Sequence, residues 1–407
     1  MEPLTVGTRA ALSPEAQLLL VSADDQPANN AALHRLLAAD LDWGKLTALA
    51  NEEGATAMLW QRVGRAANGQ LPRDVARQWQ QLGMIGEFEL RRLEWTLYEV
   101  LDLLALRGIE AMLLKGSALA HTIYGSFVDR PMGDLDLLIR PERAQEAWSL
   151  LQSKGGWTWQ ASSWPVERYT AHQHLPPLVK TRGAEVRLEL HTALLPNGHP
   201  FDWPLDNIWR GAQRLAVRER SLLVPHPLHQ LLHVCLHFAW SHEMRWGSWR
   251  ALRDVAAITR RTDVEWGPFV HLARESRAMT CCYWSLRLAR TLAGARVPDH
   301  VLAALRPPRP GFVLERLEYH YLGQLFSSER GCPSETLNRG LWELGIAPRW
   351  SRHGATRPWH GSSRWMTAPT RRSLRLLQRA RHAAEALGYV SRLSFSHHSI
   401  RSLTVFS

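Results

Sequence analysis

Long apolar runs are missing from this 407-residue chain. No stretch approaches the roughly 18 consecutive apolar residues that a membrane-spanning helix needs. The first residues, Met1 to Leu4, do not show the basic and then apolar order of a secretory signal peptide. The chain also has no internal repeats and no low-complexity tracts. These absences predict a cytoplasmic globular protein whose length allows several domains.

Cysteine is scarce as well, with only four residues in the chain. They are Cys235, Cys281, Cys282 and Cys332. Their spacing matches no zinc-binding pattern, and two adjacent cysteines are badly placed to form a disulfide with each other. We therefore expect buried small side chains here rather than metal ligands or cross-links.

Lysine occurs at only four positions, although lysine and arginine together number 49 and the net charge is +11. The positive charge is almost entirely arginine, a usage typical of a GC-rich bacterial genome, so it needs no functional explanation. Against this background Lys115 stands out, because a compact ammonium group on a flexible stem suits a phosphate pocket.

Two short apolar segments near this lysine carry the strongest chemical signal. The first, 111–114, is typical of a strand and leads through Gly116 and Ser117 into a predicted helix over 118–124. A glycine there allows a ligand to approach the backbone closely, and the first turn of a helix offers free N–H groups to a phosphate.

The second segment, 134–139, is a predicted strand that carries two acids. Side chains alternate along a strand, so Asp134 and Asp136 face the same side. Two neighbouring carboxylates repel each other unless a cation lies between them. The pair predicts a divalent cation, with Mg²⁺ and a phosphate substrate as the usual combination. A solvated strand edge is the alternative interpretation.

These segments, LLKGSALAHTIYG followed by DRPMGDLDLLI, resemble a bacterial nucleotidyltransferase-like family with the polymerase-beta type fold. The resemblance is strongest to an uncharacterised branch that shares Leu-Lys-Gly, then Arg, then Asp-hydrophobic-Asp. It covers about residues 110–192, and the spacing between Gly-Ser and Asp-x-Asp is longer than in compact members. The resemblance implies an α+β fold, in which a mixed sheet with helices is flanked by N-terminal and C-terminal helical regions.

The resemblance also implies a third acid on a later strand. Residues 186–191 alternate apolar and polar side chains, so Glu189 and His191 share one face of a predicted strand. Glu189 would join Asp134 and Asp136 as a catalytic residue and as a ligand to Mg²⁺ or Mn²⁺. Glu185 is a weaker candidate for the third acid. The alternative is that Glu189 is an exposed residue paired with Arg187.

Five residues are implied to bind the nucleotide: Lys115, Gly116, Ser117, Arg130 and His191. We expect Gly116 and Ser117 to contact the β and γ phosphates and Lys115 to neutralise their charge. Arg130 would either clamp a phosphate or brace an aspartate by an ion pair. His191 would bind phosphate, carry a proton or simply pack.

The implied reaction is Mg²⁺-dependent transfer of a nucleoside monophosphate from a nucleoside triphosphate, with ATP as the expected donor, and release of pyrophosphate. The acceptor is not identified by the sequence: a peptide, a protein, RNA and a small molecule all remain open. Two alternatives also remain. One is a phosphotransferase on the same scaffold, and the other is a non-catalytic member that binds a nucleotide or a partner in a biosynthetic or toxin–antitoxin system.

Most of the remaining chain has apolar residues at helical spacing. We predict an N-terminal helical region over 1–108, the nucleotidyltransferase core over 109–195, a helical domain over 196–348 and an arginine-rich segment over 349–407, with the main boundary in a loop-rich stretch over 196–224. His229, His233 and His237 fall on one helical stripe, which we interpret as a cleft wall or core histidines rather than a metal site. The arginine-rich segment is either a solvated tail or an arm for nucleic acid, an anionic membrane surface or an acidic partner.

Overall fold

A seven-stranded mixed sheet lies at the centre of the fold. Its strands are β1 (Ala111–Leu113), β2 (Asp134–Ile139), β3 (Thr158–Trp159), β4 (Leu178–Arg182), β5 (Ala184–His191), β6 (Gln213–Val217) and β7 (Arg220–Val224). In space they follow the order β3-β4-β5-β2-β1-β7-β6. β2 is parallel to β5 and β1 is parallel to β7, whereas the other neighbouring pairs are antiparallel. The chain is therefore α+β, as the sequence predicts.

The computed structural model describes residues 12–23, 30–67, 71–159, 169, 172–182, 184–326, 334–346 and 384–393. Helices precede, interrupt and follow the sheet. They are α1 (Pro14–Ser22), α2 (Asn30–Leu37), α3 (Trp43–Glu52), α4 (Thr56–Ala66), α5 (Arg73–Ala105), α6 (Lys115–Leu119), α7 (Pro141–Gly155), α8 (Leu205–Arg210), α9 (Pro227–Leu236), α10 (Ser248–Arg261), α11 (Trp266–Glu275), α12 (Met279–Ala293), α13 (Asp299–Leu305), α14 (Gly311–Leu322) and α15 (Glu335–Ile346). Residues 384–393 are also helical. The rest of the predicted arginine-rich segment lies outside the described residues.

Local sequence signals explain several helix boundaries. α1 begins as predicted, with the Ser13 hydroxyl accepting a hydrogen bond from the Ala16 N–H at 3.3 Å and Pro14 at the first helical position. α5 carries buried residues at helical spacing, including Leu93, Leu97 and Leu104. This long helix leads directly into β1 and covers the sheet together with α7.

A second apolar core lies away from the sheet. It combines buried residues of α1 to α4 with buried residues of α9 to α15, so the first four helices pack against the C-terminal helices. The Trp249 indole N–H, for example, donates to the Leu19 carbonyl oxygen at 3.0 Å. The predicted N-terminal helical region is thus divided. α1 to α4 and the start of α5, with Val75 and Trp79, belong to the helical core, whereas α5 from Leu90 onward belongs to the core of the sheet.

The prediction of a loop-rich stretch over 196–224 holds for residues 196–204 but is wrong for the rest. This stretch contains α8 and the hairpin of β6 and β7. β7 adds to the sheet beside β1, where Met112 is opposite Leu223, so the sheet continues past the boundary predicted at residue 195. The prolines of this stretch suggest loops, whereas the strands depend on a partner more than one hundred residues earlier. In the part of the chain that is described, no helix has the length and apolarity to cross a bilayer.

Candidate active site

A cavity of about 480 Å³ lies between the sheet and the helices that follow it. One wall is formed by β2, β5 and the start of α6, and the opposite wall is formed by α9 and α10. Asp134, Asp136 and Glu189 line the first wall, together with Lys115 and Gly116. The predicted acids and the predicted phosphate-binding segment therefore share one cavity.

The parallel pairing of β2 and β5 brings the acids together. In its register Asp136 is opposite Glu189, and Asp134 is opposite Arg187. Asp136 and Glu189 are only 2% and 7% exposed. The Arg187 guanidinium does contact Glu189, at 3.0 Å between Nη2 and Oε1, but Glu189 is buried rather than exposed. The strand face predicted for these acids is the one that meets the cavity.

The three carboxyl groups have different proton affinities. Burial, together with the charges of Asp136 and Glu189, raises the pKa of Asp134 to about 6. Burial also works against ionisation of Asp136, but Lys115 and His191 lower its pKa below the usual value. The repulsion among the three carboxyl groups therefore disfavours the ionised form of Asp134 most, and a bound cation would reduce this repulsion.

Lys115 is the principal counter-charge of these acids. Its Nζ lies 2.8 Å from Asp136 Oδ1. Burial alone would lower the pKa of Lys115, but Asp136, Glu189 and Asp134 together raise it, so the ammonium form is favoured. Its backbone is left-handed, with φ of 45°, a conformation that costs energy for a residue with a side chain. Tertiary contacts thus hold Lys115 in this strained position beside Asp136.

Two histidines, His191 and His174, contact the acids and help to position them. His191 is fully buried, and its Nε2 donates to Asp136 Oδ1 at 2.8 Å. His174 Nε2 lies 3.4 Å from Glu189 Oε2. Burial lowers the pKa of His191, but its hydrogen bonds to Asp136 and Glu189 raise it above the usual value. In this arrangement His191 is a partner of the carboxylates, and its predicted contact with a nucleotide stays a prediction.

Gly116 and Ser117 lie inside the first turn of α6 rather than in a turn before the helix. A Cβ on Gly116 would approach Met132 Cβ to 3.1 Å, so this position has little room for a side chain. The Ser117 hydroxyl is buried and directed at Met132 Sδ, 3.9 Å away. Gly116 lines the cavity. Phosphate binding by either residue stays a prediction.

Arg130 is engaged in a buried ion pair with Asp254 of α10. Its Nε and Nη2 donate to the two carboxylate oxygens at 2.7 and 2.6 Å. The Tyr124 hydroxyl donates to the same carboxylate at 2.8 Å. Arg130 also lines the cavity, but its fork is directed at Asp254 and not at Asp134 or Asp136. The structure therefore joins the segment before β2 to the helical core through this pair.

The predicted histidine stripe is split between two environments. His233 and His237 line the cavity opposite the acids. His229 instead accepts a hydrogen bond from the Trp203 indole at 3.1 Å. Burial lowers the pKa of His233 to about 3, so its imidazole is neutral. Within the described ranges the stripe is not part of a cluster of metal-binding residues.

Such a cluster does occur among the acids. One ligand atom each from Asp136, Glu189 and His191 lie within 4.8 Å of one another. It shares Asp136 and Glu189 with the predicted metal set, and Asp134 lies two residues before Asp136 on the same strand face. Carboxylate oxygens are the donors that Mg²⁺ prefers, and a cation would offset the burial and the neighbouring negative charges that raise the pKa of Asp134. The donor set therefore fits a divalent cation.

A sequence model of an uncharacterised nucleotidyltransferase family matches residues 39–294, which is more than half of the chain. The chain belongs to this family. A search of the curated proteins found no match. The nucleotidyltransferase match begins before α3 and ends at the close of α12, so it spans the sheet and the cavity wall of α9 and α10.

Sequence reasoning missed three titratable side chains that line this cavity: His172, His174 and Arg250. His172 and His174 are two residues apart, which is the spacing of one strand face, and this signal was available. His174 also forms a bridge with His191. Arg250 had no such signal, because its place depends on how α10 packs against the sheet.

Proposed function

We propose that this protein is a Mg²⁺-dependent nucleotidyltransferase that transfers a nucleoside monophosphate from a nucleoside triphosphate to an acceptor and releases pyrophosphate. One observation carries the proposal: Asp136 and Glu189 are paired across two parallel strands, on the wall of a cavity that also holds Asp134 and Lys115. ATP is the expected donor, and the acceptor is a peptide, a protein, RNA or a small molecule.

Asp134, Asp136 and Glu189 would hold the metal. When bound there, Mg²⁺ supplies positive charge that stabilises the negative charge on the phosphate oxygens of the transition state. Mn²⁺ has similar ligand preferences and would fit the same donors. The acids lie on two paired strands, so their relative positions are fixed by the sheet and not by a loop.

Neighbouring residues stabilise the ionised form of the acids. Lys115 contacts Asp136 at 2.8 Å and limits the repulsion among the carboxylates. Burial disfavours the charged form of Glu189, but His191, His174 and Lys115 lower its pKa well below the usual value. Glu189 is thus ionised near neutral pH despite its burial, as a metal ligand must be.

The phosphate end of the nucleotide would lie beside Lys115 and the backbone of Gly116. These two residues form the start of α6 and line the cavity next to Asp136. An ammonium group and backbone N–H groups are suitable partners for phosphate oxygens. The second candidate reaction, transfer of the γ-phosphate to a hydroxyl, would use the same residues.

Labelled ATP separates the two reactions. The protein is incubated with Mg²⁺, a cell extract freed of nucleotides, and ATP labelled at either the α or the γ phosphate. We expect α-label on an acceptor molecule. Transfer of γ-label alone would establish a phosphotransferase instead. If neither label moves and Mg²⁺-ATP does not bind, the catalytic proposal is wrong.

Two glutamates on the same strand provide a matched pair of variants. Glu189→Gln removes a proposed metal ligand, and we expect transfer to fall by about 100-fold or more. Glu185→Gln alters an exposed residue four positions earlier on β5, so transfer should stay near the wild-type rate. Equal loss in both variants would contradict the assignment of Glu189 as the third acid.

A further inference from the structure

The cavity has a second charged wall, opposite the acids. Arg250 lies in the first turn of α10, and its half-buried side chain lines the cavity that also contains Asp134 and Lys115. Gly247, which precedes this helix, lines the cavity as well. A guanidinium group therefore projects into the proposed nucleotide site from the helical core.

Arg250 differs from the other arginines that pack near it. Arg130 is paired with Asp254, and Arg253 donates to the Asp129 carbonyl oxygen at 2.7 Å. Among the residues that the structure describes, the Arg250 side chain makes neither a hydrogen bond nor an ion pair within 4.0 Å. Its five N–H donors are thus available to a ligand in the cavity.

The acids nearest to Arg250 among the described residues form no ion pair with its guanidinium group. One Glu53 carboxylate oxygen accepts a hydrogen bond from the Trp249 backbone N–H at 3.0 Å, so this acid caps the start of α10. Asp134 is close enough to affect Arg250 electrostatically but forms no ion pair with it. Burial, followed by the charge of Arg130, lowers the pKa of Arg250, and the charges of Glu53, Asp134 and Asp254 offset this only in part.

The same wall offers a further hydrogen-bonding group without negative charge. His233 is only 5% exposed, and no described residue accepts from or donates to its Nε2. A wall of one unpaired guanidinium and neutral imidazoles is suited to an anion. Facing it across the cavity are the acids that fit a metal.

We propose that Arg250 binds the phosphate chain of the nucleotide, the role that the sequence suggested for Arg130. This inference rests on the proposed function. The acids and their metal would hold the reacting phosphate, and Arg250 would hold the phosphates beyond it. Arg130 is not free for this task because both arms of its fork contact Asp254. A planar guanidinium matches two phosphate oxygens at once, which a lysine cannot do.

The test compares ligands with different numbers of phosphates. Binding of ATP, AMP and inorganic tripolyphosphate, each with Mg²⁺, is measured by calorimetry for the full-length wild type and for Arg250→Gln. We expect the variant to bind ATP and tripolyphosphate about 10- to 100-fold more weakly. AMP lacks the outer phosphates, so its affinity should change less than about threefold.

Two further variants control the result. Arg261→Gln changes an exposed arginine on the same helix, outside this cavity, and should bind all three ligands as the wild type does. Arg250→Lys keeps the charge but loses the fork, so we expect an intermediate loss for ATP. This lysine variant also provides the measurement if Arg250→Gln does not fold, as judged by circular dichroism.

The outcomes separate this inference from the proposed function. Unchanged ATP affinity in Arg250→Gln, with α-label still transferred, would overturn the role of Arg250 and leave the reaction intact. An equal loss for AMP and ATP would also overturn it. If tripolyphosphate binds through Arg250 but no label is transferred, the anion site stands and the transferase proposal fails.

Discussion

Replacing Asp254 by alanine should strongly destabilise the protein, because it breaks the buried pair that joins the sheet to the helical core. Arg130 precedes β2 and Asp254 lies on α10, 124 residues later. The two side chains are 10% and 3% exposed, so water screens the pair very little. We expect this variant to unfold at lower urea concentration than the wild type.

The expected loss of stability follows from the buried groups that Asp254→Ala leaves without a partner. Without Asp254, the Arg130 guanidinium keeps only its bond to the Pro131 carbonyl oxygen, at 2.5 Å, and its charge stays buried. The Tyr124 hydroxyl also loses its acceptor. Removing one member of a buried pair typically costs about 3–5 kcal/mol. Asp254→Asn retains one amide oxygen as an acceptor, so it should cost roughly half as much.

A surface pair of the same geometry provides the control. Arg220 Nε and Nη2 donate to the two oxygens of Asp102 at 3.0 and 2.7 Å, but these side chains are 32% and 55% exposed. Asp102→Ala should therefore cost less than about 1 kcal/mol. Both pairs have the same two-bond arrangement, so they differ in burial and in the Tyr124 hydroxyl that also donates to Asp254.

The assay is urea unfolding followed by tryptophan fluorescence, for which the chain provides 19 tryptophans. ATP binding is measured on the same variants below the unfolding transition. If Asp254→Ala costs no more than Asp102→Ala, the reasoning from burial is refuted. If Arg130→Lys weakens ATP binding without affecting stability, Arg130 is a phosphate ligand after all.

Two further predictions concern stability. Burial raises the pKa of Glu53 to about 7, so the folded state binds a proton more readily than the unfolded chain does between pH 4.5 and about 7. The contribution of Glu53 to the free energy of unfolding should fall by about 3 kcal/mol as the pH rises through this window. Glu53→Gln should therefore flatten the slope of stability against pH. Urea unfolding at several pH values checks this, and an unchanged slope would contradict it. A Cβ on Gly345 would overlap the Tyr321 hydroxyl. Gly345→Ala should therefore cost about 1–3 kcal/mol in thermal or urea unfolding, and Tyr321→Phe in the same chain should recover part of it. No recovery would show that the clash lies elsewhere.

Much of the local structure could be predicted because it depends on short-range sequence signals. The cap at Ser13, the periodicity of α5 and the strand that carries Asp134 and Asp136 all rest on neighbouring residues. The face of β5 that carries Glu189 follows from alternation alone. That Glu189 is opposite Asp136 was implied only by the family resemblance, and the structure shows the pairing.

The mistakes arose where a residue depends on a distant partner. The hairpin of β6 and β7 consists of two short strands among prolines and glycines, and β7 is stabilised by β1. Arg250 and Arg253 are the basic residues nearest to Asp254 on its own helix, so spacing along the chain favours them as partners. Asp254 is paired with Arg130 instead, which no spacing along the chain could indicate.

The sequence by itself determined most of the strands and helices, though not the hairpin of β6 and β7, and it determined which side chains of a strand share a face. These properties depend on residues within a few positions of one another. Only the tertiary structure decided which of the many arginines remain available to bind a ligand. Arg130 is neutralised by an acid 124 residues away, whereas the Arg250 side chain faces the cavity without a hydrogen-bond or ion-pair partner among the described residues. The physical reason is that charge pairing is a property of positions in space, and folding sets these positions after local structure has been specified.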